Sequence, residues 1–298
     1  MMTKLMKTAN GPEAVKMNTN TAKRIRLIAV DLDRTALRTD KSLSPAVSDA
    51  LQKASQQGME VVIVSGRPFE SLPAELIRAG FIRYAVTSNG AAVYDLDTGS
   101  RIAQTLLRAD QVRSILNLFP DMKCFEVLLN GKSYAWDDYV RDPARFGTAE
   151  EGIDYIRKTR TGIGDIRAFA LKHEAQLDAM DIICREDFER EQMTKKLKEY
   201  IPSVFVTSSV RNLIEISAAR NGKAQGLKLL SERLHIDPSE MIAFGDAHND
   251  LEMIEYAGTG VAMGNASREI KDAADLVTLT NDEDGVAVTV RTLLEKQS

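Results

Sequence analysis

The sequence predicts an α/β fold: a doubly wound, Rossmann-like parallel sheet interrupted by an inserted α+β domain. Three observations carry this. First, the runs IRLIAV (25–30) and VVIV (61–64) are apolar on both faces, as strands inside a parallel sheet are. Second, helical periodicity falls between such runs, and strand–helix alternation with right-handed crossovers gives a doubly wound sheet. Third, the rhythm breaks into hairpin signals after residue 90 and resumes near Asn221. The expected organisation is an extension over 1–24, a core of 25–90 and 217–298, and an inserted domain of 91–216.

Taken in order, residues 1–24 lack periodicity and read as a disordered extension. Met17 is an alternative start. After the first strand, Ser44-Pro45 supplies an N-cap and an N1 proline. Val47, Ala50, Leu51 and Ala54 share one helical face, and Gly58 closes the helix. VVIV ends in SGRP (65–68). A helix is expected from there to Gly80, then a strand at 84–87 ending in SNG. In the insert, hairpins are expected at 91–105 and, around the Asn130-Gly131 turn, at 123–136. Further strands are expected at 180–184, 203–208 and 211–216, with helices near 109–118 and 187–199. The resumed α/β rhythm places helices at 223–234, 249–257, 267–274 and 285–295. Strands follow at 241–244, 259–262 and 275–278.

The 298 residues allow two domains and a sizeable core. Net charge is −4, although the first 26 residues hold six basic side chains and one acid, so the remainder is strongly acidic. That balance excludes nucleic acid as the main partner, because phosphate-backbone binding needs clustered Lys and Arg. No apolar run is long enough to span a bilayer. Cys124 and Cys184 cannot form a disulfide framework, and a cytoplasmic, reducing location fits best. Neither has a histidine in a recognisable partner motif.

The chemistry concentrates at strand ends, where open α/β sheets bind ligands. The first strand ends in Asp31 and Asp33, which alternation puts on one side, followed by Thr35. A carboxylate there can attack phosphorus or hold a hard cation. Ser65 and Gly66 follow the second strand and suit a phosphate oxygen. Lys223 is a point charge suited to a phosphoryl group. GDAHND (245–250) brings Asp246, Asn249 and Asp250. Each has a plainer structural reading: Ser65 as a helix N-cap, Lys223 as a solvated helix residue, and the 246–250 group as caps of the next helix. Asn89-Gly90 reads as a turn, and Asn265 as part of a cap for the helix near 267. Tyr134, Trp136 and Tyr139 read as core packing or, alternatively, as pocket lining.

Together DLDRT (31–35), VSGRP (64–68), TSNGA (87–91), NGKAQGLKLL (221–230), GDAHNDLEMI (245–254) and VAMGNA (261–266) resemble the haloacid dehalogenase-like superfamily. Within it the layout is similar to the Cof-type sugar-phosphatase family with a large α/β cap. The resemblance covers about residues 25–295. It implies that Asp31 is a nucleophile forming an aspartyl-phosphate and that Asp33 is the general acid/base. It implies phosphoryl binding by Ser65, Lys223, Asn249 and the N–H groups of Leu32 and Gly66. It implies Mg²⁺ on Asp31, the Asp33 carbonyl, Asp246 and Asp250. The expected activity is hydrolysis of a small phosphorylated metabolite, with a phosphosugar mutase or a non-catalytic phospho-ligand sensor as rivals. Two positions depart from the pattern. Arg34 stands where glycine is usual, and either reaches an anionic substrate or points to solvent. Ala247 replaces a common glycine, which matters only if that residue needs positive φ. The substrate and the oligomeric state are not written in the sequence.

Overall fold

The computed structural model describes residues 24–218 and 222–297. The expected extension, save Arg24, and Asn221 lie outside them. The order is β1 (Leu27–Val30), α1 (Pro45–Gln56), β2 (Glu60–Val64), α2 (Ala74–Ile77), β3 (Tyr84–Thr87), β4 (Ala92–Asp95) and β5 (Ser100–Gln104). Then come α3 (Ala109–Leu118), β6 (Phe125–Leu129), β7 (Lys132–Trp136), α4 (Asp137–Arg141), α5 (Glu150–Thr159), β8 (Arg160–Ile163), α6 (Ile166–Lys172) and β9 (Leu177–Ile183). Next are α7 (Asp187–Tyr200), β10 (Phe205–Thr207), β11 (Leu213–Ser217), α8 (Gly222–Leu234), β12 (Met241–Gly245) and α9 (Leu251–Tyr256). The chain ends with β13 (Thr259–Ala262), α10 (Arg268–Ala273), β14 (Leu276–Val277) and α11 (Gly285–Gln297).

Two compact units form. The first holds the described residues up to Ile63, then Gly80–Arg83 and the chain from Ser231 onward. Its strands run β14-β13-β12-β1-β2, all parallel. β1 and β12 are neighbours in register, Val30 opposite Phe244, so their carboxyl ends deliver Asp31 and Asp246 to one edge. Buried Leu27, Ile28, Ala29 and Phe244 fill both faces, as the apolar runs required. The α1 boundaries follow their signals: Ser44 Oγ accepts from the Val47 N–H at 3.0 Å, Pro45 occupies N1, and Gly58 takes φ +84°. Val47, Ala50, Leu51 and Ala54 are its buried stripe, and α1 packs on α11.

The second unit comprises Val64–Ala79 and Tyr84–Leu230. It carries the antiparallel run β3-β4-β5 and a six-stranded sheet ordered β10-β11-β9-β6-β7-β8. The β6–β7 hairpin turns at Asn130 (φ +50°) and Gly131 (φ +80°), the backbone that an Asn-Gly pair favours. One face of the six-stranded sheet packs Phe125, Val127, Met180, Ile182, Ile214 and Ile216 against helices. Trp136 and Tyr139 meet Phe146 edge-on at 5.7 and 5.9 Å, and Tyr134 stacks at 4.8 Å on Phe169, so all three aromatics pack in the core.

Three expectations are corrected. The segment from Gly66 to Gly80 is not one helix: it holds a single 3₁₀ turn (Phe69–Ser71) and the four-residue α2. Pro68 and Pro73 break it, since each lacks an N–H and drives its predecessor extended; Leu72 has ψ 143°. Strand β9 begins three residues earlier than its apolar pattern suggests. Asp178 sits inside it, its charge met by Arg101 at 2.7 and 2.8 Å and by the Gly131 N–H at 3.0 Å. The elements α4, α5, β8 and α6 were not anticipated. α5 contains Gly152 and buries only Ile156, and β8 is a largely exposed edge strand, so neither offers a long apolar run.

Candidate active site

In the first unit, one ligand oxygen from each of Asp31, Asp246 and Asp250 falls within 4.8 Å of the others. All three residues are buried. The backbone creates this convergence. Leaving β1, residues Leu32–Ala36 form a single wide turn, closed by Ala36 N–H to Asp31 O at 3.1 Å and Leu37 N–H to Leu32 O at 2.8 Å. After β12, Gly245 lets Asp250 fold back, since a Cβ there would lie 2.4 Å from the Asp250 Cβ. Asp250 Oδ2 then accepts the N–H groups of Asp246 and Ala247, each at 3.0 Å, which fixes its orientation. It therefore caps the turn as well as joining the cluster. Ala247 has φ −117°, so no glycine is needed there.

Asp246 is held from several directions. Thr35 Oγ1 donates to Oδ1 at 3.3 Å and Asn265 Nδ2 to Oδ2 at 3.2 Å. Asn265 Nδ2 also donates to the Arg34 carbonyl at 2.9 Å, and its Oδ1 accepts the Asn281 N–H at 3.0 Å. Asn265 is thus a strut between the 245–250 loop and the turn after β1, a role its VAMGNA context did not reveal as distinct from helix capping. Arg34 adopts φ +62°, the left-handed region that explains why glycine is usual there. Its Nε lies 3.9 Å from Asp246 Oδ2, so the half-exposed guanidinium faces the acidic cluster. Asp33 is more exposed and takes a 3.0 Å ion pair from Lys41 Nζ, a partner eight residues along the chain that no motif announced. Asn249 is buried in the same loop as Asp250.

In the second unit, Ser65, Asn89 and Lys223 are buried. Ser65 Oγ accepts the Arg67 N–H at 3.2 Å, and the Ser65 carbonyl accepts the Asn89 N–H at 3.2 Å. Asn89 Nδ2 donates to Glu215 Oε1 at 3.0 Å. A Cβ on Gly66 would sit 2.9 Å from Glu215 Oε1 and 3.2 Å from Asn89 Oδ1, so a larger residue there would have to displace these side chains. A Cβ on Gly90, at φ +90°, would lie only 2.0 Å from the Gly222 carbonyl oxygen, so glycine is required there. Burial pushes the Glu215 carboxyl up, opposed by Asn89 and the Lys223 charge. Glu215 thus belongs with Gly66, Asn89 and Lys223, a placement its strand context did not signal.

Burial pushes both the Cys124 and Cys184 thiols up to about 12, away from the thiolate form. No described helix is long and apolar enough to cross a membrane.

The family model for haloacid dehalogenase-like hydrolases matches residues 28–290. The chain belongs to that family. It is 30% identical to Phosphatase YwpJ of Bacillus subtilis (strain 168), across 91% of this chain and 100% of that one. It is likewise 30% identical to the 5-amino-6-(5-phospho-D-ribitylamino)uracil phosphatase YitU of the same organism, across 88% and 94%. Among solved structures, a haloacid dehalogenase-like hydrolase from B. subtilis superposes with a TM-score of 0.77 at 28% identity, covering 90% of this chain and 99% of the other. The expected α/β fold and the enzyme class, a phosphatase-type hydrolase, are therefore established for this member of the haloacid dehalogenase-like hydrolases. The acidic cluster suits the divalent cation such hydrolases use. Its oxygens lie within the span that one hard ion reaches at ligand distances of about 2.0–2.6 Å.

Proposed function

We propose that this chain hydrolyses small phosphomonoesters, sugar phosphates among them, through an aspartyl-phosphate on Asp31 with Mg²⁺ as cofactor. The observation that carries the reading is the meeting of Asp31, Asp246 and Asp250 at the ends of adjacent parallel strands. We assign the core to 25–90 and 217–298, and leaving-group selection to the insert of 91–216. The unpaired thiols support a cytoplasmic location.

In this reading an Asp31 oxygen attacks phosphorus as the bond to the leaving oxygen breaks. Asp33, protonated, gives its proton to that oxygen. As a carboxylate it then takes a proton from water. The water oxygen bonds to phosphorus, the bond to Asp31 breaks, and inorganic phosphate leaves. Lys41 must release Asp33 for the first of these steps. Ser65, the Leu32 and Gly66 N–H groups, Asn249 and Lys223 hold the phosphoryl oxygens. Asp31, the Asp33 carbonyl, Asp246 and Asp250 would hold Mg²⁺, which neutralises the phosphoryl charge when bound. Asn265 and Thr35 keep Asp246 aimed.

The test is phosphate release from sugar phosphates, nucleotides, and flavin and pyridoxal phosphates, with Mg²⁺, with EDTA, and with Asp31→Asn. Expected is Mg²⁺-dependent release that falls on the order of 10³-fold or more in the variant. Release that persists in Asp31→Asn overturns the mechanism. Isomerised phosphosugar without free phosphate would favour the mutase.

A further inference from the structure

The six-stranded sheet has a second face, opposite its apolar core. Register assembles a polar row on it. Thr207 pairs with Glu215, Glu215 with Asp181, and Asp181 with Glu126, across β10, β11, β9 and β6. Directly paired residues share a face, so these four side chains stand side by side. Ser217 lies two residues beyond Glu215 on the same face. Every member is at least nine-tenths buried.

Burial demands partners, and part of the row has them. Arg160 grips Glu126 with two bonds, 2.8 and 2.9 Å, and Ser133 Oγ donates to it at 3.1 Å. Glu215 holds Asn89. Burial and the flanking Glu126 and Glu215 charges push the Asp181 carboxyl well above the usual carboxylate range. The Thr207 and Ser217 hydroxyls have no partner among the described residues. Buried hydroxyls are seldom left so. They are the places where a bound molecule would complete the network.

We propose that this row is the leaving-group subsite, selecting hydroxyl-rich or amine-bearing groups and rejecting a second negative charge. The proposal rests on the phosphatase reading above and names its substrate class. The row starts beside the phosphoryl-holding group of the same unit, because Glu215 reaches Gly66, Asn89 and the field of Lys223. Its carboxylates accept hydrogen bonds from hydroxyls and ammonium groups. Thr207, Ser217 and, when protonated, Asp181 can also donate. A second phosphate or a carboxylate would face Glu215 and Glu126. The guanidinia at the row's far end are already engaged: Arg160 on Glu126, and Arg67 on the Ser71 carbonyl and the Tyr155 ring. Both stack on Tyr155, at 4.9 Å.

The test pairs fructose 6-phosphate with fructose 1,6-bisphosphate, and glycerol phosphate with 3-phosphoglycerate, using p-nitrophenyl phosphate as a substrate without hydroxyls. Wild type should favour the member of each pair that has a single anionic group by about tenfold or more in kcat/KM. Thr207→Val, with Ser217→Ala as a second variant, should lower the ratio of fructose 6-phosphate to p-nitrophenyl phosphate turnover by about tenfold, mostly through KM. Glu215→Gln should narrow the discrimination against the doubly charged partners. Equal use of both members of each pair, or an unmoved ratio in the hydroxyl variants, overturns the proposal while leaving the phosphatase reading intact. If nothing is hydrolysed, p-nitrophenyl phosphate included, the phosphatase reading fails. The row is then judged by the thermal shift that fructose 6-phosphate induces. A shift in wild type that is lost in Thr207→Val sustains the subsite, and its absence in wild type overturns it.

Discussion

Asp31, Asp246 and Asp250 in the first unit and Glu126, Asp181 and Glu215 in the second are two buried carboxylate triads with opposite electrostatic solutions. The loop triad is surrounded by donors: N–H groups on Asp250, and the Thr35 hydroxyl and Asn265 amide on Asp246. Such donors fix the carboxylates in place and leave oxygens converging on one point, as a cation site requires. In the sheet triad Glu126 is countered by Arg160, and burial and the neighbouring acids push the Asp181 carboxyl up. One triad is oriented by neutral donors around a common point, the other is embedded in a sheet beside a single guanidinium.

The largest break in this comparison should come from Arg160→Met. Arg160 and Glu126 are almost completely buried and doubly bonded. Removing the cation strands Glu126, at a cost of about 3–5 kcal/mol. Urea unfolding measures it. Adding Glu126→Gln should recover most of the loss, since the stranded charge is then gone. An unchanged midpoint in the single variant would show that water reaches Glu126.

Metal linkage separates the two triads next. At Mg²⁺ near 100 times its Kd, wild type should gain about 2.7 kcal/mol of stability. Asp250→Asn should lose most of that gain, whereas Asp181→Asn should retain it. Thermal unfolding with Mg²⁺ and with EDTA reads both. Equal losses would mean that the cation does not distinguish loop from sheet.

The pH dependence sharpens the contrast further. Asp181 binds its proton more tightly folded than unfolded. Its contribution is therefore complete below the ordinary value of 3.8 and is lost as pH rises toward the folded value. Glu215 is shifted in the same direction. Asp181→Asn does not titrate, so its stability relative to wild type should be lowest near pH 4 and climb toward pH 7. Melting temperatures across that range test the slope. A relative stability of Asp181→Asn that falls as pH rises would reverse the assignment.

The two triads also differ in how far the sequence exposes them. Asp31, Asp246 and Asp250 sit at the ends of apolar strands, inside short motifs, so local pattern finds them. Glu126, Asp181 and Glu215 are single acids at alternating positions in three strands, 34 or more residues apart in sequence neighbours Asp181 and Glu215 and farther still from Glu126. Only strand register brings them together, and register is a property of the assembled sheet. The same reason hid Asn265 and Lys41, whose partners Asp246 and Asp33 are set by loop geometry. By contrast α1, α3, the β6–β7 hairpin and the parallel strands followed local signals closely, because caps, turns and apolar runs act over a few residues.

The smallest effect expected is at Arg34, a side chain held in the left-handed region in the turn after β1. Its φ of +62° strains an L-residue, at about 1–2 kcal/mol. Glycine removes that strain but adds about 0.5–1 kcal/mol of unfolded-chain entropy. The ion pair to Asp246 is long, at 3.9 Å, and half exposed, so its loss costs little. The balance favours Arg34→Gly by up to about 1 kcal/mol, measured by denaturant midpoint in EDTA. The same change removes a positive charge from beside Asp246, so if Asp246 holds the cation as proposed, Mn²⁺ titration should show tighter binding. A variant that is less stable and binds Mn²⁺ more weakly would mean that the guanidinium organises the loop instead of competing for Asp246.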